Sequence, residues 1–241
     1  MNISPLTQEQ IAFFREEGYV LTGRVLDDAT LEALRREEER LRLARDDDAQ
    51  QLTIFRSQVC DFSAPVREFA TTGPQLEWMR QLIGPNIALW YNQFVSKKPD
   101  ANAGKSEFPW HQDNGYVSIE PATNVTLWVA LDDVDLKNGC VWVMPRSHEM
   151  GLLDHSQKGA DSWHLQVPVE GDGVPAILKA GEAVAFTGLT LHHSKLNYTD
   201  KIRRGFFLEY ADADSVYGND PKPVLDSKDA WMVCGEAPMR W

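Results

Sequence analysis

Apolar residues at the start of the chain recur at the three- to four-residue spacing of amphipathic helices. Thr7 and Gln10 form a capping-box pattern before the first apolar stripe, and Gly18 is suited to end that helix. A short extended run at 19–22 precedes a second, leucine-striped segment. Residues 64–83 show helical spacing again. The pattern therefore predicts a helical part over about residues 1–85.

From Asn86 onward the pattern changes to short runs rich in β-branched and aromatic residues, separated by clusters of Gly, Pro, Asn and Asp. These runs lie at 87–97, 125–131, 140–144, 165–169, 183–187 and 203–210. Asn138-Gly139, between two of the runs, is a hairpin signal. Because strands do not alternate with helices, we predict an antiparallel sandwich, jelly roll or barrel over about 86–210, followed by a tail at 211–241.

Length and charge narrow the class of protein. A chain of 241 residues fits one domain over 1–241. Its 24 basic and 36 acidic residues give a net charge of −12, which disfavours nucleic-acid binding through a broad basic face. The three cysteines form no CxxC pair, so a thiolate zinc site is not indicated. With no secretory signal and no apolar run of ~20 residues, we expect a cytoplasmic protein without membrane contact.

Candidate metal ligands occur in two strand-like segments. In the segment Trp110-His111-Gln112-Asp113, strand alternation places His111 and Asp113 on one face. A second imidazole is offered by His192-His193, which follows another apolar run. Two imidazoles and one carboxylate on one side of a metal leave open positions on the other side, and this ligand set is typical of non-haem Fe(II) oxygenases.

An arginine pair follows the second histidine motif. Arg203-Arg204 opens the run 203–210, and turn-like residues separate it from His192-His193. If segments 189–194 and 203–210 pair as a hairpin, an arginine lies across from a histidine. Its planar guanidinium would suit bidentate binding of the distal carboxylate of a keto acid that chelates iron. The alternative interpretation is a solvated strand edge.

The order of these motifs resembles the phytanoyl-CoA dioxygenase family of Fe(II)/2-oxoglutarate oxygenases. The resemblance runs from Thr7 to about Tyr210. It is carried by Thr7-Gln8-Glu9-Gln10-Ile11, Glu17-Gly18-Tyr19-Val20, Gly84-Pro85-Asn86-Ile87, His111-Gln112-Asp113, Trp128-Val129-Ala130-Leu131-Asp132-Asp133, Asn138-Gly139-Cys140, Pro145-Arg146-Ser147-His148, Gly181-Glu182-Ala183-Val184-Ala185-Phe186, His192-His193-Ser194, Asn197 and Arg203. The resemblance implies a mainly β fold, a double-stranded β-helix (a jelly-roll or cupin-like barrel) with N-terminal helices packed outside.

The resemblance also implies a cofactor and a site. Fe(II) would be bound by His111, Asp113 and His192, with 2-oxoglutarate and O2 as cosubstrates. Arg203 would bind the far carboxylate of 2-oxoglutarate, and Arg204 would point to the other face of the strand. Four further residues match positions that line the cosubstrate pocket of the family: Gln93, Trp128, Ser194 and Arg56.

Two departures from the family pattern and four aromatic residues bear on the substrate. His193 and Arg146 stand where the family usually has glycine, and Arg146 must fit a turn backbone and could reach the substrate. The aromatic candidates for substrate contact are Tyr116, Trp142, Trp163 and Tyr217. The expected substrate is a small-molecule metabolite. The expected reaction is hydroxylation of an unactivated C–H bond, with release of succinate and CO2.

Two other functions fit parts of the pattern. A cupin-like metal-binding or sensor protein would keep the barrel and the metal without turnover. A cupin oxygenase that uses no keto acid would have no use for Arg203. Succinate release separates the three hypotheses. The sequence predicts neither the identity of the substrate nor the oligomeric state.

Overall fold

The computed structural model describes residues 3–44, 51–100, 106–158, 164–219 and 221–235. Its helices are α1 (Gln8–Glu17), α2 (Asp28–Leu43), α3 (Ala64–Thr72) and α4 (Leu76–Leu82). The capping box predicted before α1 is confirmed, because the side chains of Thr7 and Gln10 each accept a hydrogen bond from the other's backbone N–H. Gly18 ends α1 in the left-handed conformation, with φ of 80°.

The strands pair antiparallel throughout the described ranges. In chain order they are β1 (Tyr19–Arg24), β2 (Thr53–Ser57), β3 (Ile87–Lys97), β4 (Phe108–His111), β5 (Ile119–Glu120), β6 (Val125–Ala130), β7 (Val141–Val143), β8 (Ser156–Gln157), β9 (Leu165–Gln166), β10 (Val174–Pro175), β11 (Glu182–Thr187), β12 (His192–Ser194), β13 (Arg203–Asp212), β14 (Val216–Tyr217), β15 (Lys222–Pro223) and β16 (Trp231–Cys234). Single 3-10 turns connect some of them, at Val59–Asp61, Asp113–Gly115, Ser147–Met150 and Val224–Asp226.

Within the described ranges, two larger sheets build the fold, beside a small sheet β15-β14-β5 and the strand pair β8-β9. The major sheet has the order β1-β11-β6-β13-β3-β16, and β2 also pairs with β3. The minor sheet has the order β10-β7-β12-β4. An apolar cluster joins them, with Trp128 and Phe207 from the major sheet and Val141 and Val143 from the minor sheet. The architecture agrees with the predicted mainly β, jelly-roll class.

The helices cover the outer face of the major sheet. Alternate residues of β13, Phe206 and Leu208, are completely buried in a cluster that also contains Leu34 of α2 and Phe69 of α3. Burying this apolar face is what holds the helices on the sheet, because apolar area removed from water is the main favourable term. Within the described ranges, none of the helices combines the length and hydropathy needed to cross a bilayer.

The helix predicted over 64–83 is two helices. Gly73, between α3 and α4, is extended, with φ of −71° and ψ of 167°. The next residue, Pro74, disfavours a helical conformation at the position before it and has no N–H to donate. The break lets α4 start in a new direction.

Both hairpin predictions are wrong, because the chain crosses between sheets at these points. Strands β6 and β7, on either side of Asn138-Gly139, lie in the major and the minor sheet respectively. The turn itself is closed by the Asp135 carboxylate, which accepts from the Lys137 backbone N–H at 2.7 Å. Likewise β12 and β13 lie in different sheets. The histidine motif and Arg203 are therefore in different sheets and do not pair as neighbouring strands.

The major sheet also uses segments outside the predicted strand region. Strand β1 confirms the extended run predicted at 19–22 and forms the edge next to β11, whereas β2 was not predicted. At the other end of the chain, β16 pairs with β3, with Trp231 opposite Leu89. The tail therefore contributes a strand to the sheet that carries the site.

Candidate active site

Strand alternation lays out the inner face of the major sheet in rows. Directly paired residues of antiparallel strands project to the same side, so each row runs across β3, β13 and β6. The rows are Lys97–Arg203, Val95–Gly205–Ala130, Gln93–Phe207–Trp128 and Tyr91–Glu209–Thr126. This face therefore has a basic end at Arg203 and an acidic end at Glu209.

Three potential metal ligands converge opposite this face. His111 ends β4, Asp113 opens the following 3-10 turn, and His192 on β12 is the strand partner of His111. Their candidate ligand atoms all lie within 4.8 Å of one another. Asp113 Oδ1 is 3.9 Å from His111 Nε2 and 3.4 Å from His192 Nε2. The predicted triad is thus brought together with a spacing that suits one metal ion.

Hydrogen bonds fix which atoms of the triad face the metal. His111 Nδ1 lies 2.8 Å from the Pro109 carbonyl, and His192 Nδ1 lies 3.0 Å from the Thr190 carbonyl. Donation to a carbonyl places the proton on Nδ1 and leaves the Nε2 lone pair for a metal. Thr126 Oγ1 donates to Asp113 Oδ2 at 2.6 Å, so Oδ1 remains as the ligand oxygen.

The charges at the triad favour the metal-binding protonation states. Burial lowers the pKa of His111 well below its ordinary value, and the neighbouring His192 adds to this effect. Burial alone would raise the pKa of Asp113, but His192, His111 and the Thr126 hydrogen bond outweigh it and leave that pKa lowered. Neutral imidazole and an ionised carboxylate are the forms that bind a metal. Two imidazoles and one carboxylate, bound from one side, suit Fe(II) and leave positions open.

The Thr126 hydrogen bond gives a first testable expectation. Thr126→Val keeps the shape of the side chain but leaves Asp113 Oδ2 buried without its donor. We expect Fe(II) affinity to fall roughly ten- to a hundredfold, as is usual when a partner of a metal ligand is lost. Competition with a chelator measures this affinity. The matched control is Thr22→Val, because Thr22 is a buried threonine on β1 that donates to the Ala183 carbonyl. Equal iron affinities in both variants would contradict the assigned role.

Arg203 lies at the basic end of the inner face with most of its donors unused. It is only 2% exposed, and Nη2 donates to the Gly139 carbonyl at 2.9 Å. Its Nε and Nη1 are buried without a hydrogen-bond partner. Unpaired buried guanidinium donors are costly, and burial lowers the pKa of Arg203 to about 10. A carboxylate bound here would satisfy both donors, so the residues present fit 2-oxoglutarate.

Neighbouring side chains on the inner face hold Arg203 in place. Its guanidinium carbon is 5.3 Å from the centre of the Trp128 ring. A Cβ at Gly205 would lie 2.2 Å from that ring, so only glycine leaves the tryptophan room. Lys97, the row partner of Arg203, donates through Nζ to the carbonyls of Ser194 and Lys195.

Arg204 faces the opposite side of β13, as predicted. Its Nε and Nη2 donate to the two carboxylate oxygens of Asp132 at 2.9 and 2.7 Å. Because Asp132 already accepts from both nitrogens, the Arg204 guanidinium is not available to bind the carboxylate of a keto acid. Arg203 keeps two donors without partners, whereas the Arg204 fork is engaged by Asp132, so variants of the two neighbours can be compared directly.

A cavity of about 510 Å³ lies between the two sheets and contains the open side of the triad. Its wall is rich in aromatic side chains, with Phe55, Trp90, Tyr91, Phe108, Tyr116, Trp128, Phe186 and Phe207. Polar positions on the wall include Gln93, Lys97, Ser194 and Glu209. Of the residues predicted from the sequence, Gln93, Trp128, Ser194 and Tyr116 therefore line the cavity. Tyr116 accepts from the Leu165 N–H at 3.0 Å, and burial raises its pKa to about 12.

The predicted pocket position of Arg56 is wrong. Alternation on β2 turns Phe55 toward the cavity and Arg56 away from it. The Arg56 guanidinium instead donates to the backbone carbonyls of Leu41 and Arg42 on α2. It ties the helix to the sheet.

Two predicted substrate contacts on the minor-sheet side also lie outside the cavity. Trp142 alternates with Val141 and Val143, so its ring faces outward, with the Lys195 ammonium 4.1 Å from its centre. Arg146 is half exposed and pairs with Glu16 at 3.1 Å and Glu149 at 2.8 Å. Arg146 has φ of 62°, so it takes the left-handed conformation expected where the family has glycine.

Three further residues singled out in the sequence are Tyr217, Trp163 and His193. Tyr217 packs on Trp90 with ring centres 4.5 Å apart, and Trp90, rather than Tyr217, lines the cavity. Trp163 falls outside the described residues. His193 lies against Trp110, with ring centres 4.1 Å apart, and burial lowers its pKa to about 3. It does not join the metal-ligand group.

Sequence reasoning missed Glu209, Thr126 and Lys97. Thr126 carries no sequence signal of its own, because its role depends on the strand pairing of β6. Glu209 could have been found by counting from Arg203, since Arg203, Gly205, Phe207 and Glu209 alternate along one strand.

The fold, the triad and the buried arginine together define a non-haem Fe(II)/2-oxoglutarate-dependent oxygenase. The chain belongs to the phytanoyl-CoA dioxygenase (PhyH) family, whose model matches residues 14–205. It is 25% identical over 241 residues to the peroxisomal phytanoyl-CoA dioxygenase of Bos taurus, covering 88% of this chain and 70% of the relative.

Solved structures share the fold. The α-ketoglutarate-dependent carbocyclase SnoK from nogalamycin biosynthesis matches with a TM-score of 0.78 and 22% identity, covering 96% of this chain and 100% of SnoK. The epimerase SnoN, in complex with Fe3+, α-ketoglutarate and nogalamycin RO, matches with a TM-score of 0.75 and 24% identity, covering 97% of this chain and 95% of SnoN. The chain is accordingly an oxidoreductase with iron and 2-oxoglutarate as cofactor and cosubstrate.

Proposed function

We propose that this enzyme hydroxylates an unactivated C–H bond of a small-molecule metabolite and converts 2-oxoglutarate to succinate and CO2. The observation that carries the proposal is the juxtaposition of three features. The open side of the His111, Asp113 and His192 triad meets an aromatic cavity, and Arg203 keeps two buried donors for a carboxylate.

Each group of the chain has a part in this reaction. Bound iron, with 2-oxoglutarate and O2, supplies the oxidising chemistry. His111 Nε2, His192 Nε2 and Asp113 Oδ1 would hold the metal. Arg203 would bind the distal carboxylate of the keto acid, and Ser194 and Gln93 line the cavity. The aromatic walls exclude water from the reacting carbon.

The cavity wall also limits the kind of substrate. A wall rich in aromatic side chains favours a largely apolar molecule, because apolar area removed from water drives its binding. SnoK comes from nogalamycin biosynthesis, and SnoN was solved in complex with nogalamycin RO. By analogy we assign this chain a largely apolar metabolite of a biosynthetic pathway.

Succinate formation tests the proposed function. In the presence of Fe(II), 2-oxoglutarate and O2, the enzyme should form succinate, and candidate metabolites should accelerate it. A chelator should stop the reaction. With labelled O2, one oxygen atom should enter succinate and the other the hydroxylated product. Substrate consumption in air without any keto acid would contradict the assignment and favour a cupin oxygenase of another type.

A further inference from the structure

Glu209 is a buried acid for which the metal centre has no evident use. It lies on β13 six residues beyond Arg203, on the same inner face, which is a separation of about 20 Å along an extended strand. It is not part of the metal-ligand group found among the described residues. It lies beside the centre, however, because its cross-strand partner Thr126 is the residue that donates to Asp113.

One oxygen of Glu209 is satisfied by the protein and the other is not. Glu209 is 6% exposed and lines the cavity. Its Oε1 accepts from Asn124 Nδ2 at 2.6 Å, which fixes the carboxyl group. Within the described part of the chain, Oε2 has no hydrogen-bond partner. Because Glu209 lines the cavity, this second oxygen is available for a group that enters it.

The rings around Glu209 favour a cation as that group. Tyr91 is its partner on β3, and Phe207 lies two residues before it on β13, with the two rings 6.0 Å apart at a steep angle. Aromatic faces attract cations, and a carboxylate beside them adds a charge-assisted hydrogen bond.

The local charge balance points the same way. Burial and the nearby Asp113 carboxylate raise the pKa of Glu209 to about 8, so its ionised form requires a cation beside it in the cavity. The two charges of Fe(II) would be balanced by Asp113 and by the metal-binding carboxylate of 2-oxoglutarate. The basic residues Lys97 and Arg203 lie at the opposite end of the inner face of the major sheet. A cationic substrate would supply the missing charge.

We propose that Glu209 anchors the substrate, and that the substrate is an amine whose protonated nitrogen pairs with Glu209 Oε2 while its apolar ring portion fills the aromatic cavity. Glu209 thereby positions the carbon near the amine over the metal. This inference rests on the proposed function for the reaction, but it makes a separate claim about binding.

Anaerobic calorimetry with matched probes tests the anchor. The protein is loaded with Mn(II) and 2-oxoglutarate and titrated with naphthylethylamine, naphthylethanol or naphthylacetate. We expect the amine to bind at least roughly tenfold more tightly than the alcohol, and the acetate to bind most weakly. Glu209→Gln should weaken amine binding roughly ten- to a hundredfold, consistent with loss of a charge-assisted hydrogen bond, and should affect the alcohol much less.

Controls separate failure of the anchor from failure of the proposed function. Asp212→Asn removes a carboxylate from the same strand outside the cavity and should leave all three affinities unchanged. Metal content and 2-oxoglutarate affinity are measured on the same samples and should be normal in Glu209→Gln. If the wild-type protein binds no metal or 2-oxoglutarate, the proposed function fails. If it binds both but does not prefer the amine, or if it prefers the acetate, the anchor alone is overturned, whether or not Glu209→Gln folds.

Discussion

We expect His192→Ala to abolish stoichiometric iron binding and His193→Ala to retain it. Losing a hydrogen-bond partner of a metal ligand already costs roughly ten- to a hundredfold in affinity, so losing one of three protein ligands should cost more than about a hundredfold. His192 Nε2 lies 3.4 Å from Asp113 Oδ1, whereas His193 lies between the rings of Trp110 and Trp142. Iron content per folded chain, measured after gel filtration, reports the difference.

His192 and His193 have the same side chain and the same exposure, 6% each. His193→Ala should lower the melting temperature, because it removes a ring from a packed aromatic stack, but the remaining folded protein should bind iron normally. Full iron occupancy in His192→Ala together with loss in His193→Ala would show that the wrong neighbour has been assigned.

Arg203→Ala should raise the 2-oxoglutarate requirement by roughly one to three orders of magnitude. The variant removes two donors that are buried without protein partners, and hydrogen bonds to charged groups contribute about 1.5–3 kcal/mol each. Each 1.4 kcal/mol corresponds to about a tenfold change in affinity. Arg203→Lys should recover only part of the loss, since an ammonium cannot reproduce the fork. Calorimetric titration of 2-oxoglutarate into the metal-loaded protein gives the values.

Arg204→Ala is the control on the same strand. Its guanidinium is engaged by Asp132 on the opposite face, so stability should fall while 2-oxoglutarate affinity stays close to that of the wild type. Iron content should be unchanged in both variants. A large loss of 2-oxoglutarate affinity in Arg204→Ala, with a normal value in Arg203→Ala, would place the cosubstrate on the other side of the strand.

The parts of the site that follow from local periodicity could be predicted from the sequence. His111 and Asp113 share a face because the intervening Gln112 is extended, with φ of −112° and ψ of 142°. Arg203 and Arg204 take opposite faces for the same reason. The family resemblance then identified His192, although the two adjacent imidazoles are chemically equivalent as ligands. The choice of His192 agrees with the group of potential metal ligands in the structure, which contains His192 and not His193.

The parts that depend on the pairing of distant strands could not be predicted. A strand's period of two shows which residues share a face but not which face is the inner one. Arg56 and Trp142, which were predicted to line the site, face outward on short strands, next to Phe55 and Val141, which do face inward. The crossing of the chain between sheets after β6 and after β12 is likewise set by the packing of the two sheets and not by the turn sequences.

The central claim is that one iron ion and one molecule of 2-oxoglutarate share a site between the two sheets. A crystal structure of the anaerobic complex with Fe(II) and 2-oxoglutarate, with the metal located by anomalous scattering, tests this claim most directly. We predict a single metal peak bonded to His111 Nε2, His192 Nε2 and Asp113 Oδ1, with the distal carboxylate of 2-oxoglutarate on Nε and Nη1 of Arg203. A metal peak away from these three atoms, or a keto acid whose distal carboxylate leaves Arg203 unpaired, would contradict the account.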